Sequence, residues 1–289
     1  MLCNHLTERA SGHLRRLCVD IPDRQVGSGG NRAAAAYFAE TVSSLGFAVE
    51  THDFECMDWR AGSVSLQVGG EAFAASALED AVVLLRGDIA REQLMPKNFP
   101  FYNPDEHQRI IWLLETKRSQ ALITATGRDW QMAGSLYPFP LIEDGDFDIP
   151  SVVMTDVEGE RLAAYAGQDA TLISRAERLP SSGYNVVARK GQRERRAVCF
   201  AHIDAKPGTP GAIDNASGAV VMLLLAELLA DYGGGLGIEI VALNGEDYYS
   251  NPGEQVVSGA QRRAVRADCA GCQRGRRRLS PGARCVLVV

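Results

Sequence analysis

The sequence predicts an α/β protein: a mixed, largely parallel sheet flanked by helices, with a small mixed α/β domain inserted into it. Three observations carry that prediction. Residues 197–243 read as a strand, a long apolar helix and a second strand, and such a crossover lays its two strands parallel in one sheet. Before residue 46 the apolar residues recur at helical spacing. Between residues 57 and 178 the texture changes to short strands separated by turns. On this reading residues 1–56 and 179–255 form one discontinuous domain, residues 57–178 form the insert, and residues 256–289 form a basic tail.

Residues 4–20 are expected to be helical, with Leu6, Leu14, Leu17 and Cys18 on the apolar side. "RQVGSGGN" then reads as a plain glycine-rich turn, because it lacks the downstream glycine and lysine of a phosphate-binding loop. Asn31 is expected to cap the next helix, which stops at Gly46 and turns Tyr37, Phe38, Val42 and Leu45 to a core. "FAVETHDFEC" alternates as a strand does. In the insert, "SVSLQV", "AVVLL", "QALITAT" and "SVVMT" read as strands. "PDEHQRIIWLLETKRS" reads as a helix with Ile110, Ile111, Leu113 and Leu114, helped by Trp112, facing the core. His107 is expected to be a solvated helix-end histidine, and Asp156 to cap a short helix. "YNVVAR", "AVCFA" and "GIEIVAL" are further strands, and residues 215–232 are the crossover helix.

Composition narrows the function classes. A 46% hydrophobic and 23% charged chain suits a soluble globular protein. No stretch of about eighteen apolar residues lacks charge, so no membrane partner is expected. The N-terminal "MLCNHLTERASGHLRRL" has no apolar core of the secretory kind, so the expected location is cytoplasmic. The net charge of −6 hides an asymmetry: residues 256–289 carry eight arginines against one acid, Asp268, leaving an acidic body that argues against nucleic acid as a partner. Seven irregularly spaced cysteines suit reduced thiols, and the lone Cys269–Cys272 pair is not read as a zinc or redox site.

The chemistry concentrates at one predicted rim. In open parallel sheets, ligands bind where loops leave the carboxyl ends of the strands. His202 and Asp204 directly follow one strand, Asp214 precedes the crossover helix, and Glu246 and Asp247 follow the next strand. Imidazole and carboxylates are zinc-ligand types, so His202, Asp214 and Asp247 are candidate metal ligands. Asp204 can accept the second ring hydrogen of His202 and fix its tautomer. Asp214 can bridge two ions about 3.5–4 Å apart. Glu246 can take a proton from an attacking water. Taken singly, each residue admits a plainer reading: Asp214 as a helix cap, Asp204 and Asp247 as turn residues, His202 as a loop histidine. Those readings leave unexplained why glycine, proline and acids crowd both rim loops.

"HIDAKPGTPGAIDNASG" followed by "NGEDYYSNPGE" resembles the two-zinc aminopeptidases related to aminopeptidase Y. "RQVGSGGNRAAAAYFAETVSSLGFAVE" resembles the family's N-terminal helix region, and "IPSVVMTDVEGERL" is similar to the protease-associated domain often inserted there. The resemblance covers about residues 10–255. It implies a zinc exopeptidase-like fold, a peptide substrate and two zinc ions. It also implies that His202 binds one zinc, Asp214 bridges both, Asp247 binds the second, Asp204 orients His202 and Glu246 is the general base. The acidic pair here is Glu-Asp where many relatives have Glu-Glu.

The resemblance also implies two later ligands, an aspartate on the next strand and a late histidine. No histidine follows His202, and Asp268 is the one candidate aspartate. The resemblance is expected to stop near Glu254, and the arginine-, alanine- and glycine-rich remainder reads as sequence foreign to the fold, as a wrong frame of a GC-rich gene would give. A genuine basic tail for an acidic partner is the alternative. The functional expectation is a metallo-aminopeptidase-type hydrolase impaired by the loss of C-terminal ligands, with a non-catalytic peptide- or protein-binding remnant as the second reading.

Overall fold

A computed structural model describes residues 2–60, 62–68, 71–73, 82–91, 93–97, 99, 102, 104–116, 119, 121–126, 147, 149–168, 170–191, 195–248, 251–259 and 286–288. The expectations for Asp268 and for Cys269 and Cys272 lie outside these residues. The chain divides into two units, residues 1–58 with 180–289, and residues 59–179.

In chain order the elements are α1 (Leu2–Arg15), α2 (Gly29–Ser44), β1 (Ala48–Arg60), β2 (Val64–Val68), β3 (Glu71–Phe73), β4 (Val82–Leu85), α3 (Asp105–Thr116), β5 (Ala121–Thr126), β6 (Ser151–Thr155), α4 (Asp156–Ala163), β7 (Ala170–Ser174), β8 (Glu177–Lys190), β9 (Arg196–His202), α5 (Ser217–Leu228), β10 (Gly237–Leu243), α6 (residues 252–259) and β11 (Val286–Val288).

The first unit is built on a five-stranded sheet in the order β1-β8-β10-β9-β11. β10 runs parallel to β9 and antiparallel to β8, and β11 runs parallel to β9. This is the mixed, largely parallel sheet that the sequence predicts. β10 is almost wholly buried, including Glu239, whose carboxylate is paired by Arg189 and Arg196. α5 is apolar nearly all round because it packs against β9 and β10 as well as α1 and α2. Phe38 and Val42 of α2 are fully buried there, with Tyr37 and Leu45 at the margin. Each such buried aliphatic or aromatic side chain contributes about 1.5–3 kcal/mol.

α2 starts before Asn31, and its cap is Ser28, whose hydroxyl accepts the Asn31 N–H at 3.0 Å. The N-terminal helix ends at Arg15, and Arg16–Asp20 wind on as a looser turn that still buries Leu17. The tail expected to stand outside the fold reaches the sheet again, since Val286–Val288 pair with Val198–Phe200.

In the second unit, β4, β5 and β6 form a parallel sheet, and β3, β2 and β7 form an antiparallel one. All six residues of β5 are buried. Leu66, Ile123, Val152 and Met154 make one cluster, and Leu85, Ile111, Leu114 and Leu122 make another. On α3 the core is served by Ile111 and Leu114, one helical turn apart, while Leu113 and Trp112 are exposed. His107 is half-buried, and its Nδ1 accepts the Met95 N–H at 3.0 Å, so it is a tied residue rather than a solvated one. α4 is capped by Thr155, which accepts the Glu158 N–H, and not by Asp156. No helix among the described residues is long and apolar enough to cross a membrane.

A polar clasp fixes α1 to α5. Arg9 donates to Glu227 Oε1 at 2.5 Å, and His13 lies 3.2 Å from the same oxygen and 2.6 Å from the Tyr37 hydroxyl. Glu227→Gln is expected to cost about 1 kcal/mol at pH 7. The hydrogen bond from Arg9 holds the Glu227 carboxyl below its ordinary range. Its contribution is therefore complete above the unfolded value of about 4.3 and fades as pH falls through the folded value. Urea midpoints of the two proteins should differ at pH 7 and converge in acid.

Candidate metal centre

The parallel pairing of β9 with β10 places His202 opposite Leu243, so the loops that follow them leave the same rim of the sheet. Ile203 N–H still reaches the Leu243 carbonyl at 2.9 Å, which holds the two loops together as they depart. Asp204 comes next and has no exposed surface. Its Oδ1 accepts the Gly245 N–H at 2.9 Å and its Oδ2 accepts the Asp247 N–H at 2.8 Å. The carboxylate on one loop therefore shapes the other. Gly245 sits at φ 99°, a conformation that favours glycine.

The loop between His202 and Asp214 is closed by a residue far away in sequence. Arg24, 1% exposed, donates to the carbonyls of Ile203, Pro210, Gly211 and Leu17. In return the Ala205 N–H donates to the Arg24 carbonyl at 3.2 Å. Gly211 adopts φ 52°, and a Cβ there would stand 2.5 Å from the Ala205 Cβ, so only glycine fits. The backbone then kinks through Asp214 and Asn215, whose mutual peptide is cis. Asn215 Oδ1 accepts the Gly218 N–H at 2.9 Å at the start of α5. Asp214 is therefore not the helix cap, and its largely exposed side chain is left for the rim.

His202 is buried at the centre. Its Nε2 lies 3.0 Å from Asp214 Oδ1 and 3.8 Å from Glu246 Oε2. Its Nδ1 stands 3.6 Å from Asp204 Oδ1, beyond hydrogen-bond reach, and is a buried ring nitrogen without a hydrogen-bond partner among the described residues. His202, Glu246 and Asp247 each offer an atom within 4.8 Å of the others. All five sequence-predicted residues thus meet at one rim. Asp214 joins through His202, while Glu246, expected to act only as a base, stands inside the cation-sized cluster itself.

The charges are out of balance. Burial disfavours a charged His202 ring, yet Asp204, Glu246 and Asp247 outweigh it and push the ring up to about 9. Burial, reinforced by Asp204, pushes Asp247 up to about 7, and burial raises Glu246 as well. Asp204 also resists burial, but His202 and its two backbone donors hold it below its ordinary range. Asp247 Oδ2 is buried with no hydrogen-bond partner among the described residues. An orphaned carboxylate oxygen beside an imidazole and two further carboxylates fits a divalent cation of the zinc class.

Behind the rim lies a support that the sequence did not disclose. Asn31 and Asn244, fully buried, exchange reciprocal amide hydrogen bonds at 2.8 and 2.9 Å. Asn185 Oδ1 accepts the Asn244 N–H, and its amide donates to the Gly253 carbonyl. Asn244 heads the "NGED" stretch, which was the available signal; Arg24 and Asn185 carried none, because their partners lie far along the chain.

Residues 185–269 match the family model of Peptidase family M28, a span that runs on past Glu254. A probable lipoprotein aminopeptidase of Mycobacterium tuberculosis is 25% identical over 253 residues, covering 78% of this chain and 49% of that protein. The structure of a zinc aminopeptidase from Bacillus subtilis aligns with a TM-score of 0.62 at 19% identity, over 82% of this chain and 60% of that one. A peptidase M28 precursor from Shewanella amazonensis aligns with a TM-score of 0.62 at 16% identity, over 90% of this chain and 70% of that one. The fold is that of these structures, and the chain spans about half the length of the curated relative it matches.

Asp204→Asn removes a charge and cannot accept both loop amides. It should destabilise the protein by about 2–4 kcal/mol. Hydrogen exchange should show the Gly245 and Asp247 amides losing protection while α5 keeps most of its own.

Proposed function

We propose that this chain is a zinc-dependent, aminopeptidase-type hydrolase of Peptidase family M28, acting on the amino-terminal end of peptides. The observation that carries the reading is the meeting of His202, Asp214, Glu246 and Asp247 at the rim where two parallel strands end. The family match over residues 185–269 contains the whole of that rim, and the likeness to the zinc aminopeptidase fold supports it.

His202, Asp214 and Asp247 would hold the metal. When bound, zinc polarises a carbonyl and makes a water nucleophilic near neutral pH. This chain's own residues supply the rest. Glu246 has a half-exposed carboxylate at the mouth, raised by burial toward the range where a carboxylate accepts a proton from water and returns it to a leaving amine. Asp204, through the Gly245 and Asp247 amides, holds Glu246 and Asp247 at the rim. Lacking any surface, it acts on position and not on substrate. The surplus of carboxylates over cations favours a substrate that brings a positive charge, as a free peptide amino terminus does.

Besides the base Glu246, the described residues of the rim offer three ligands, His202, Asp214 and Asp247, and three ligands fill one site rather than two. We therefore propose zinc binding below two ions per chain and slow turnover. A non-catalytic, peptide-binding remnant is the second reading, favoured by the Lys206 ammonium 3.9 Å from Asp247 Oδ1, which competes with a metal for that carboxylate.

The two are separated by aminoacyl p-nitroanilide hydrolysis. The hydrolase reading expects slow release of nitroaniline, abolished by a chelator and restored by zinc. Glu246→Gln should cut the rate about 10²–10⁴-fold while the zinc content of the purified variant stays unchanged. A metal-replete protein whose rate equals that of the buffer would establish the remnant instead.

A further inference from the structure

The rim holds a cation of its own. Lys206 lies on the loop between His202 and Asp214, and its Nζ stands 3.9 Å from Asp247 Oδ1 on the facing loop. It is not a loose surface lysine. Its side chain is 17% exposed, and Asp247 is only 7% exposed. The backbone beneath it is pinned, because its carbonyl accepts both the Thr209 N–H at 3.2 Å and the Thr209 hydroxyl at 3.1 Å. The Arg24 bonds to Ile203, Pro210 and Gly211 fix the loop on both sides of that turn. An ammonium is thus delivered to the carboxylate that the resemblance assigns to a second zinc. The other oxygen of that carboxylate, Oδ2, is buried and has no hydrogen-bond partner among the described residues.

We propose that the Lys206 ammonium takes the place of a second metal ion, so that the rim binds a single divalent cation through His202, Asp214 and the buried Oδ2 of Asp247, while Lys206 neutralises that carboxylate from its Oδ1 side. The inference rests on the reading of the rim as a zinc site and adds its stoichiometry. Two effects act together. A second dication would have to approach a fixed positive charge in a partly desolvated site, where like charges repel strongly. It would also have to compete with that charge for Asp247, the ligand it most needs. One divalent ion and one ammonium leave four carboxylates, Asp204, Asp214, Glu246 and Asp247, close to neutralised. Removing the ammonium restores the deficit that a second ion can fill.

The test is metal stoichiometry, read without any assay of turnover. Apo protein is titrated with zinc and, separately, cobalt(II) by calorimetry, and the metal retained after gel filtration is measured. Wild type and Lys206→Arg are expected to bind one ion per chain with high affinity. Lys206→Met and Lys206→Gln are expected to bind two, the second at least tenfold more tightly than any second ion in wild type. Two neutral variants are used so that one with a reduced melting temperature does not decide the outcome. Two tight ions in wild type, or one ion in both neutral variants, would overturn the role of Lys206 and leave the zinc reading standing. No ion in any of the four proteins would overturn both.

Discussion

One buried carboxylate organises this protein's chemistry. Asp204 has no contact with solvent, and both of its oxygens are taken by backbone N–H groups of the neighbouring loop. A buried charge of this kind is costly unless it is compensated, and here its compensation is the shape of the rim. The parallel register of β9 and β10 brings two loops to the same place. Asp204 converts proximity into a fixed arrangement by setting the path of residues 245–247, and with it the positions of Glu246 and Asp247. The residue expected to orient an imidazole therefore chiefly orients a main chain.

The rest of the first unit supports that arrangement without touching a ligand. Arg24 donates to three carbonyls of the tight glycine- and proline-rich loop, those of Ile203, Pro210 and Gly211, and to the Leu17 carbonyl, pairing groups that the interior would otherwise leave short of donors. The pair Asn31–Asn244 ties α2 to the end of β10, and Asn185 ties β8 to the same point. Polar side chains are placed where strands stop, because that is where backbone groups lose their sheet partners. The apolar core between α5 and the sheet needs no such help.

How far the sequence disclosed this depends on the range of the interactions. The β9–α5–β10 unit was legible because its residues are apolar in long runs broken by single glutamates, as burial on both faces demands. His202, Asp204, Asp214, Glu246 and Asp247 were legible because each adjoins the end of one of those runs. The caps are Ser28 and Thr155, which reach the third amide onward, and not Asn31 and Asp156, whose residue types alone suggest them. On α3, a run of neighbouring apolar residues concealed that Ile111 and Leu114 lie on the buried stripe with Ile110 at its margin, while Trp112 and Leu113 face outward. Arg24 and Asn185 were invisible, because their partners are chosen by the packed fold and leave no local pattern.

The amide pairing at Asn244 also bears on how the molecule ages. An asparagine followed by glycine is the dipeptide most prone to spontaneous deamidation, which begins when the glycine nitrogen attacks the side-chain carbonyl carbon. In the folded protein the Gly245 nitrogen is bound to Asp204, and the Asn244 amide is held by Asn31 and by the Tyr184 carbonyl. Both reactants are thereby kept from the geometry that ring closure needs. The weakest covalent point of the rim is shielded for as long as the chain stays folded, so brief unfolding would set the clock for its chemical decay.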